Sequence, residues 1–317
     1  VTLLRWWVET WDRRETPEVL ALVRIGLGLV LLTDLFWTWR LGLVVPLLSG
    51  APSGLSGATA AGSWWFYAVG TGPGGAPWLF AAMVVAAAGL TAGAFTRTSA
   101  ASFLMLSAEW SRILPDADRG IDLLLRNVLL VLALSSAGAA WSVDAAWGSG
   151  SWRGTGAPVL AWPRRVLVLQ IVVMYFTAGV QKYGQHWWPW GGWSALYVIL
   201  QDWAVAAYDF SFVGHPVLYA GSQLATALTM AWQWSYPLVL LGTFEPPWPP
   251  GRLRRAFARW RLHWLWIAVG VWFHVQLAVT MELGIFPYGM LALYWVFVAP
   301  DELPARLRIG ASPSPNT

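Results

Sequence analysis

Long apolar runs, separated by stretches rich in glycine, proline and tryptophan, set the pattern of this chain. Eight runs read as membrane-crossing helices: residues 18–39, 77–95, 98–114, 121–138, 163–182, 217–242, 262–282 and 286–299. Several approach the ~20 apolar residues that a helix needs to cross the hydrocarbon core. No series of short alternating segments suggests a membrane β-barrel. Residues 2–14 differ in pattern, setting Trp6, Trp7 and Trp11 beside Arg and Glu. This predicts an amphipathic helix lying in the interface within residues 1–16. Thr16-Pro17-Glu18 reads as a helix start with Thr16 as cap. Residues 41–75 predict a loop with a short interfacial or re-entrant helix at Trp64-Trp65-Phe66-Tyr67. A second short helix is expected near 193–203, and residues 139–162 read as a polar loop. The expected fold is therefore an all-α membrane protein. It is a polytopic bundle of about eight transmembrane helices, with an N-terminal interfacial helix and short interfacial or re-entrant helices in the outer loops. Residues 1–300 are expected to form one transmembrane domain, and residues 301–317 a flexible cytoplasmic tail.

Composition supports this class. The 317 residues have a mean hydropathy of +0.52, and 11% are charged, against roughly 25% in soluble domains. The 26 tryptophans suit membrane interfaces. Cysteine is absent, which excludes a disulfide framework, a thiolate nucleophile and a cysteine metal site. The four histidines have no spacing that resembles a metal site. The net charge of +4 is read as cytoplasmic arginines, with no nucleic-acid partner. Arg97, Arg153, Arg164, Arg165, Arg252, Arg254, Arg255, Arg259 and Arg261 fall in loops on one side of an eight-span layout. By the positive-inside rule this predicts a multi-pass plasma (inner) membrane protein with cytoplasmic N- and C-termini. The first residues, with Arg5 and Glu9, read as a surface helix and not as a signal peptide.

Charges near the spans change the picture further. Asp34, Glu109, Arg112, Asp122, Arg126, Lys182 and Glu282 are all expected toward the outer half. Ionisable groups at such depth pair, line a cavity or do chemistry. A polar cavity open to the outside is one reading. The other is a set of interhelical pairs, Arg112 with Glu109 and Arg126 with Asp122. Lys182 stands out because it is the sole lysine among 20 Lys and Arg residues. Arginine does not release its proton at useful pH, whereas a buried lysine is able to become a neutral base. A compositional preference for arginine is the alternative. His274 is a candidate acid–base partner, about two turns from Glu282, or else a hydrogen-bonded packing residue. His186, His215 and His263 read as loop or interface residues.

Three stretches together resemble the vitamin K-dependent gamma-carboxylase superfamily, which includes the bacterial HTTM proteins. They are Tyr175-Phe176-Thr177-Ala178-Gly179-Val180-Gln181-Lys182 with Trp187 five residues on; Phe273-His274 followed by Gly284-Ile285-Phe286-Pro287-Tyr288-Gly289-Met290-Leu291-Ala292; and Trp141-Ser142-Val143-Asp144. The Arg24-Ile25-Gly26 start also fits HTTM proteins. The resemblance implies an enzyme in which Lys182 deprotonates a reduced vitamin K of the menaquinol type. In the carboxylase this is coupled to carboxylation of glutamyl residues. His274 is the second catalytic candidate. Tyr175, Trp187, Arg112, Arg126, Asn127 and Glu282 are the candidate cofactor-binding residues, with no metal. The implied partners are membrane lipid, an isoprenoid quinone and a secreted peptide or protein substrate. Two departures are expected to matter. Gly138-Ala139-Ala140 replaces the Asn-His of the animal carboxylase, and the lumenal propeptide-binding extension is not found after the eighth run. The alternative function is a non-catalytic quinone- or lipid-binding protein, or an accessory or immunity membrane protein that retains the fold. A transporter is disfavoured because the two halves show no inverted repeat.

Overall fold

The computed structural model describes residues 3–57, 62–244, 251–303 and 307. Most of the expected tail at 301–317, and residues 246–250 of the proline-rich loop before Arg252, lie outside the described residues. The described part is mostly helical. Its one small sheet pairs β1 (Arg14–Glu15) with β2 (Val159–Leu160) in antiparallel register. The chain opens with an N-terminal helix, α1 (Leu3–Asp12), and divides into two compact units. The first comprises residues 12–164 with 298–317, and the second residues 1–11 with 165–297.

In the first unit, α2 (Glu18–Arg40) is strongly apolar apart from Arg24 and Asp34 in its interior. Its acidic first turn and basic last turn complement the helix dipole. It starts at Glu18 with Pro17 in the cap position and no side-chain cap. The expected cap by Thr16 is thus replaced by proline, whose fixed φ already suits a first turn. Two short helices follow, α3 (Val44–Leu48) and α4 (Trp64–Val69), the latter capped by Ser63 Oγ accepting from Phe66 N–H. Helix α5 (Ala76–Ala92) ends at Gly93 in the left-handed region. Helices α6 (Thr96–Ile113) and α7 (Gly120–Leu134) complete a ring in which α2 packs on α5, α5 on α6, α6 on α7 and α7 on α2. Leu48, Phe66, Ala76, Leu79 and Ile113 form a buried cluster under α3 and α4. The expected loop at 139–162 contains α8 (Val143–Ser149), capped by Ser142.

The second unit is built on α9 (Trp162–Val180), whose first residues belong to the first unit, and on α10 (Ala195–Leu200), α11 (Pro216–Ser235), α12 (Leu240–Thr243), α13 (Arg252–Trp260), α14 (His263–Thr280) and α15 (Phe286–Leu293). A 3-10 turn at Tyr294–Phe297 extends α15. Helix α10 packs on α11, and α14 packs on both α15 and α12.

Three described helices are long and apolar enough to cross a membrane: Glu18–Arg40, Trp162–Val180 and His263–Thr280. Ala76–Ala92 and Phe286–Phe297 are shorter apolar helices. The other expected spans fall short for identifiable reasons. Helix α7 stops at Leu134, before Ser135-Ser136. Helices α6 and α11 carry Ser, Thr and Gln side chains that lower their hydropathy.

Candidate functional site

Lys182 lies two residues beyond the last turn of α9. Just before it, α9 and α11 approach closely at Gly179. A Cβ at this position would meet Trp234 at 2.7 Å and Gln233 at 3.0 Å. That proximity lets Lys182 Nζ donate to Gln233 Oε1 at 2.9 Å and to Ala178 O at 3.0 Å. Its third side faces the Trp187 ring, 4.7 Å from the centroid. No carboxylate pairs with it among the described residues. Burial without a counter-ion lowers the ammonium from its ordinary value to about 8. The following loop is held to the same place. Trp188 Nε1–H donates to Lys182 O at 2.9 Å, and its ring stacks on Trp190 and meets the edge of Trp234. His186 is committed to this loop. Ser194 donates its hydroxyl to Gly191 O, so the His186 Nδ1–H donates to Ser194 Oγ.

One turn below Gly179 on the same helix, Tyr175 enters a buried aromatic cluster. Trp232 and Tyr236 lie against its ring at 4.7 Å and 4.4 Å between centroids. Tyr236 donates to Tyr294, Tyr294 donates to Tyr175 at 2.8 Å, and the Tyr175 hydroxyl meets His274 Nε2. This order leaves the Tyr175 proton for Nε2. The ring proton of a neutral His274 therefore sits on Nδ1, which is buried and without a partner among the described residues. Gly270 makes room for the chain, because a Cβ there would collide with the Tyr294 hydroxyl. Trp232 and Gln233 are adjacent, so one step along α11 joins the tyrosine–histidine chain to the lysine.

The first unit contains the other expected charges, and their pairing differs from the expected one. Arg126 binds Asp118 through two bonds of 2.8 Å and 2.7 Å, not Asp122. Asp122 and Asp34 both bind Arg119. Arg119 comes one residue before α7, and Asp122 reaches back to its backbone N–H, as a capping residue does. Glu109 accepts from Ser63 Oγ and Trp65 N–H instead of pairing with Arg112. Arg112 is exposed and reaches Gly62 O at 3.4 Å, and Asn127 is exposed. A cavity of about 310 Å³ in this unit has Leu31, Leu35, Met83 and Phe103 as apolar wall and the two ion-paired arginines at its polar end.

Glu282 also departs from expectation. It lies beyond the end of α14 with its side chain exposed, whereas His274 is fully buried, so the two do not share one face. The Trp141-Ser142-Val143-Asp144 stretch is a structural lock. Asp144 accepts from the backbone N–H of Phe95 and Thr96, and Trp141 O accepts from Arg24. The pattern of runs does not by itself single out Gln233, Tyr236 or Tyr294. Hydroxyls and an amide inside apolar runs at 217–242 and 286–299 were the available signal, since buried polar groups seek partners.

No curated protein and no solved structure matches the chain. A family model described as the HTTM domain matches residues 13–232, a range that includes Lys182 but ends before Gln233 and His274. That domain is associated with the vitamin K-dependent carboxylase family. Since the match covers more than half of the sequence, the chain belongs to the HTTM domain family.

Proposed function

We propose that this protein is a vitamin K-dependent carboxylase-like membrane enzyme in which the Lys182 amine is the base toward an isoprenoid naphthoquinol. The setting of Lys182 carries the reading. It is an amine held by two neutral oxygens and an indole face, with no carboxylate partner among the described residues, and burial brings it within reach of neutrality near pH 8. A general base works best when its pKa lies near the operating pH. A reduced naphthoquinone would supply the acidic ring hydroxyl and the electrons for reaction with oxygen. The Trp187 ring over the amine, with Trp188 held to the Lys182 backbone carbonyl and edge-on to Trp234, suits such an aromatic ligand. Lys182 Nζ takes the proton, and Gln233 Oε1 and Ala178 O then hold the resulting ammonium. Tyr175 and Trp187 keep their proposed places near the ligand, and His274 offers its Nδ1–H as a hydrogen-bond donor. Arg112, Asn127 and Glu282 are exposed, and Arg126 is committed to Asp118, so none of these four is carried forward as a ligand residue. The chain would be a multi-pass inner-membrane protein with eight spans (α2, α5, α6, α7, α9, α11, α14 and α15) and both termini cytoplasmic. Carboxylation of a secreted peptide is the coupled step by analogy with the carboxylases.

The test is oxygen-dependent epoxidation of menaquinol by the purified protein, together with mass analysis of quinones extracted from it. The activity of the wild type is expected to rise with pH with a midpoint near 8, as the ammonium gives way to the free amine. Lys182→Arg is expected to lose about 10²–10⁴-fold in rate while remaining folded. If no quinone is retained and no epoxide forms, the enzymatic reading fails. The reading left is then a non-catalytic quinone- or lipid-binding or accessory protein. One feature favours that second reading: every direction open to an ammonium at Lys182 already has a partner.

A further inference from the structure

Two amphipathic helices of the second unit meet on one residue, Phe244. Trp11 of α1 packs edge-on to its ring, with centroids 6.4 Å apart, and Arg165 lies 5.4 Å above that ring. Arg254 of α13 donates to its backbone carbonyl. Each helix anchors one aromatic side chain in protein and leaves the rest of its apolar stripe uncovered. On α1 the stripe is Leu4, Trp7, Val8 and Trp11, at helical spacing i, i+3, i+4 and i+7. Trp11 is the anchored member, and Leu4, Trp7 and Val8 are exposed. On α13 the stripe is Leu253, Ala256, Phe257 and Trp260. Phe257 is buried against Trp266, whereas Leu253 and Trp260 at the two ends are 58% and 69% exposed.

The polar face of α13 is of one sign. Arg252, Arg254, Arg255, Arg259 and Arg261 fall within ten residues, and no acidic residue occurs from 246 to 281. Helix α14, long and apolar enough to span, starts two residues after Arg261. A helix with exposed Leu and Trp on one face and arginines on the other, joined to a span by so short a link, lies in the headgroup layer. Arginine, unlike lysine, presents a planar fork that matches a phosphate oxygen pair.

We propose that α13, with α1 beside it, forms a binding surface for anionic phospholipid headgroups. The guanidinium groups take the phosphodiesters, and Leu253, Trp260 and the α1 stripe enter the adjoining acyl region. This inference rests on α14 as a membrane span and is independent of the chemistry at Lys182.

The test uses the full chain in nanodiscs of phosphatidylcholine alone or of phosphatidylcholine mixed with phosphatidylglycerol. The readouts are melting temperature and, after extraction, the phospholipids retained in native mass spectrometry. The wild type is expected to melt higher with phosphatidylglycerol and to retain it in preference. Both effects should fade as salt rises, because the Debye length shortens. The variant R252Q/R254Q/R255Q/R259Q is expected to lower phosphatidylglycerol retention by about tenfold or more, whereas R40Q/R153Q leaves it unchanged. Should the quadruple variant fail to fold, the salt dependence of the wild type decides by itself. Equal melting in both discs at low salt overturns the proposal, as does an equal loss in R40Q/R153Q. Tight binding of soluble polyglutamate without any phosphatidylglycerol preference would assign the surface to an acidic protein partner and likewise overturn it.

Discussion

Arg24 and Lys182 are both cations taken largely out of water, one in each unit, and they are held in opposite ways. Arg24 is fully buried, and each direction of its guanidinium meets a backbone carbonyl. Nε donates to Ala137 O, Nη1 to Leu90 O and Thr91 O, and Nη2 to Ala140 O and Trp141 O. Two of these carbonyls end α5, where the helix dipole is negative. Asp144 stands on the neighbouring motif and caps α6. Lys182 is half-buried and has one carbonyl, one side-chain amide and one ring. The first arrangement ties the end of α5 and the 137–141 turn together through five guanidinium hydrogen bonds. The second leaves a charge that is able to titrate, because its partners are neutral and few. Arginine is suited to the first task and lysine to the second.

The largest expected effect comes from exchanging the two chemistries. Arg24→Lys replaces five donors by three and leaves carbonyls unpaired in the core. A loss of about 3 kcal/mol or more is expected, read as a lower melting temperature and a lower yield in mild detergent. A near-neutral result would mean that the five bonds are not what holds the turn. A smaller and more specific change is Gln233→Leu, which removes the side-chain oxygen that stabilises the ammonium. The amine then loses its proton more easily, so the midpoint of the pH–rate profile is expected to move below 8 by about one unit. An unchanged midpoint would separate Lys182 from the titrating group. The smallest effect is expected for Trp187→Leu. Losing the indole face moves the midpoint in the same direction by about half a unit, with little change in melting temperature.

Much of the first unit's outline was legible in the chain. The apolar runs at 18–39, 77–95 and 121–138 correspond to α2, α5 and α7, because apolar length alone selects helix where backbone groups lack water. The short helix at Trp64 was legible too, from its aromatic patch bounded by Gly and Ser. The ion pairs were not. Pairing by local spacing suggested Arg126 with Asp122 and Arg112 with Glu109. Asp122 instead turned back on its own N-terminal turn, which freed Arg126 for Asp118, just after a 3-10 turn at Pro115–Ala117. Asp34, 85 residues away, joined Arg119. Spacing reports which residues share a helix face, whereas a charge takes whichever opposite charge the packing brings nearest. His274 and Glu282 fail for a separate reason: the helix ends between them, so the two-turn spacing has no helix to act through.

In the Lys182 site, sequence alone singled out the residue as a lone amine among guanidinium groups. A sole lysine at the end of an apolar helix and before a tryptophan-rich loop carried that information, because the difference between an amine and a guanidinium is intrinsic to the side chain. What sequence could not decide was the company the amine keeps. Gln233 is 51 residues away and reaches Nζ because Gly179 lets α9 and α11 close together. The Tyr236–Tyr294–Tyr175–His274 chain likewise draws on four separate segments, with Gly270 leaving space for the central hydroxyl. Residue type sets which proton can move. Only the packing of helices sets how much water and which oxygens surround it, and therefore the pH at which it moves.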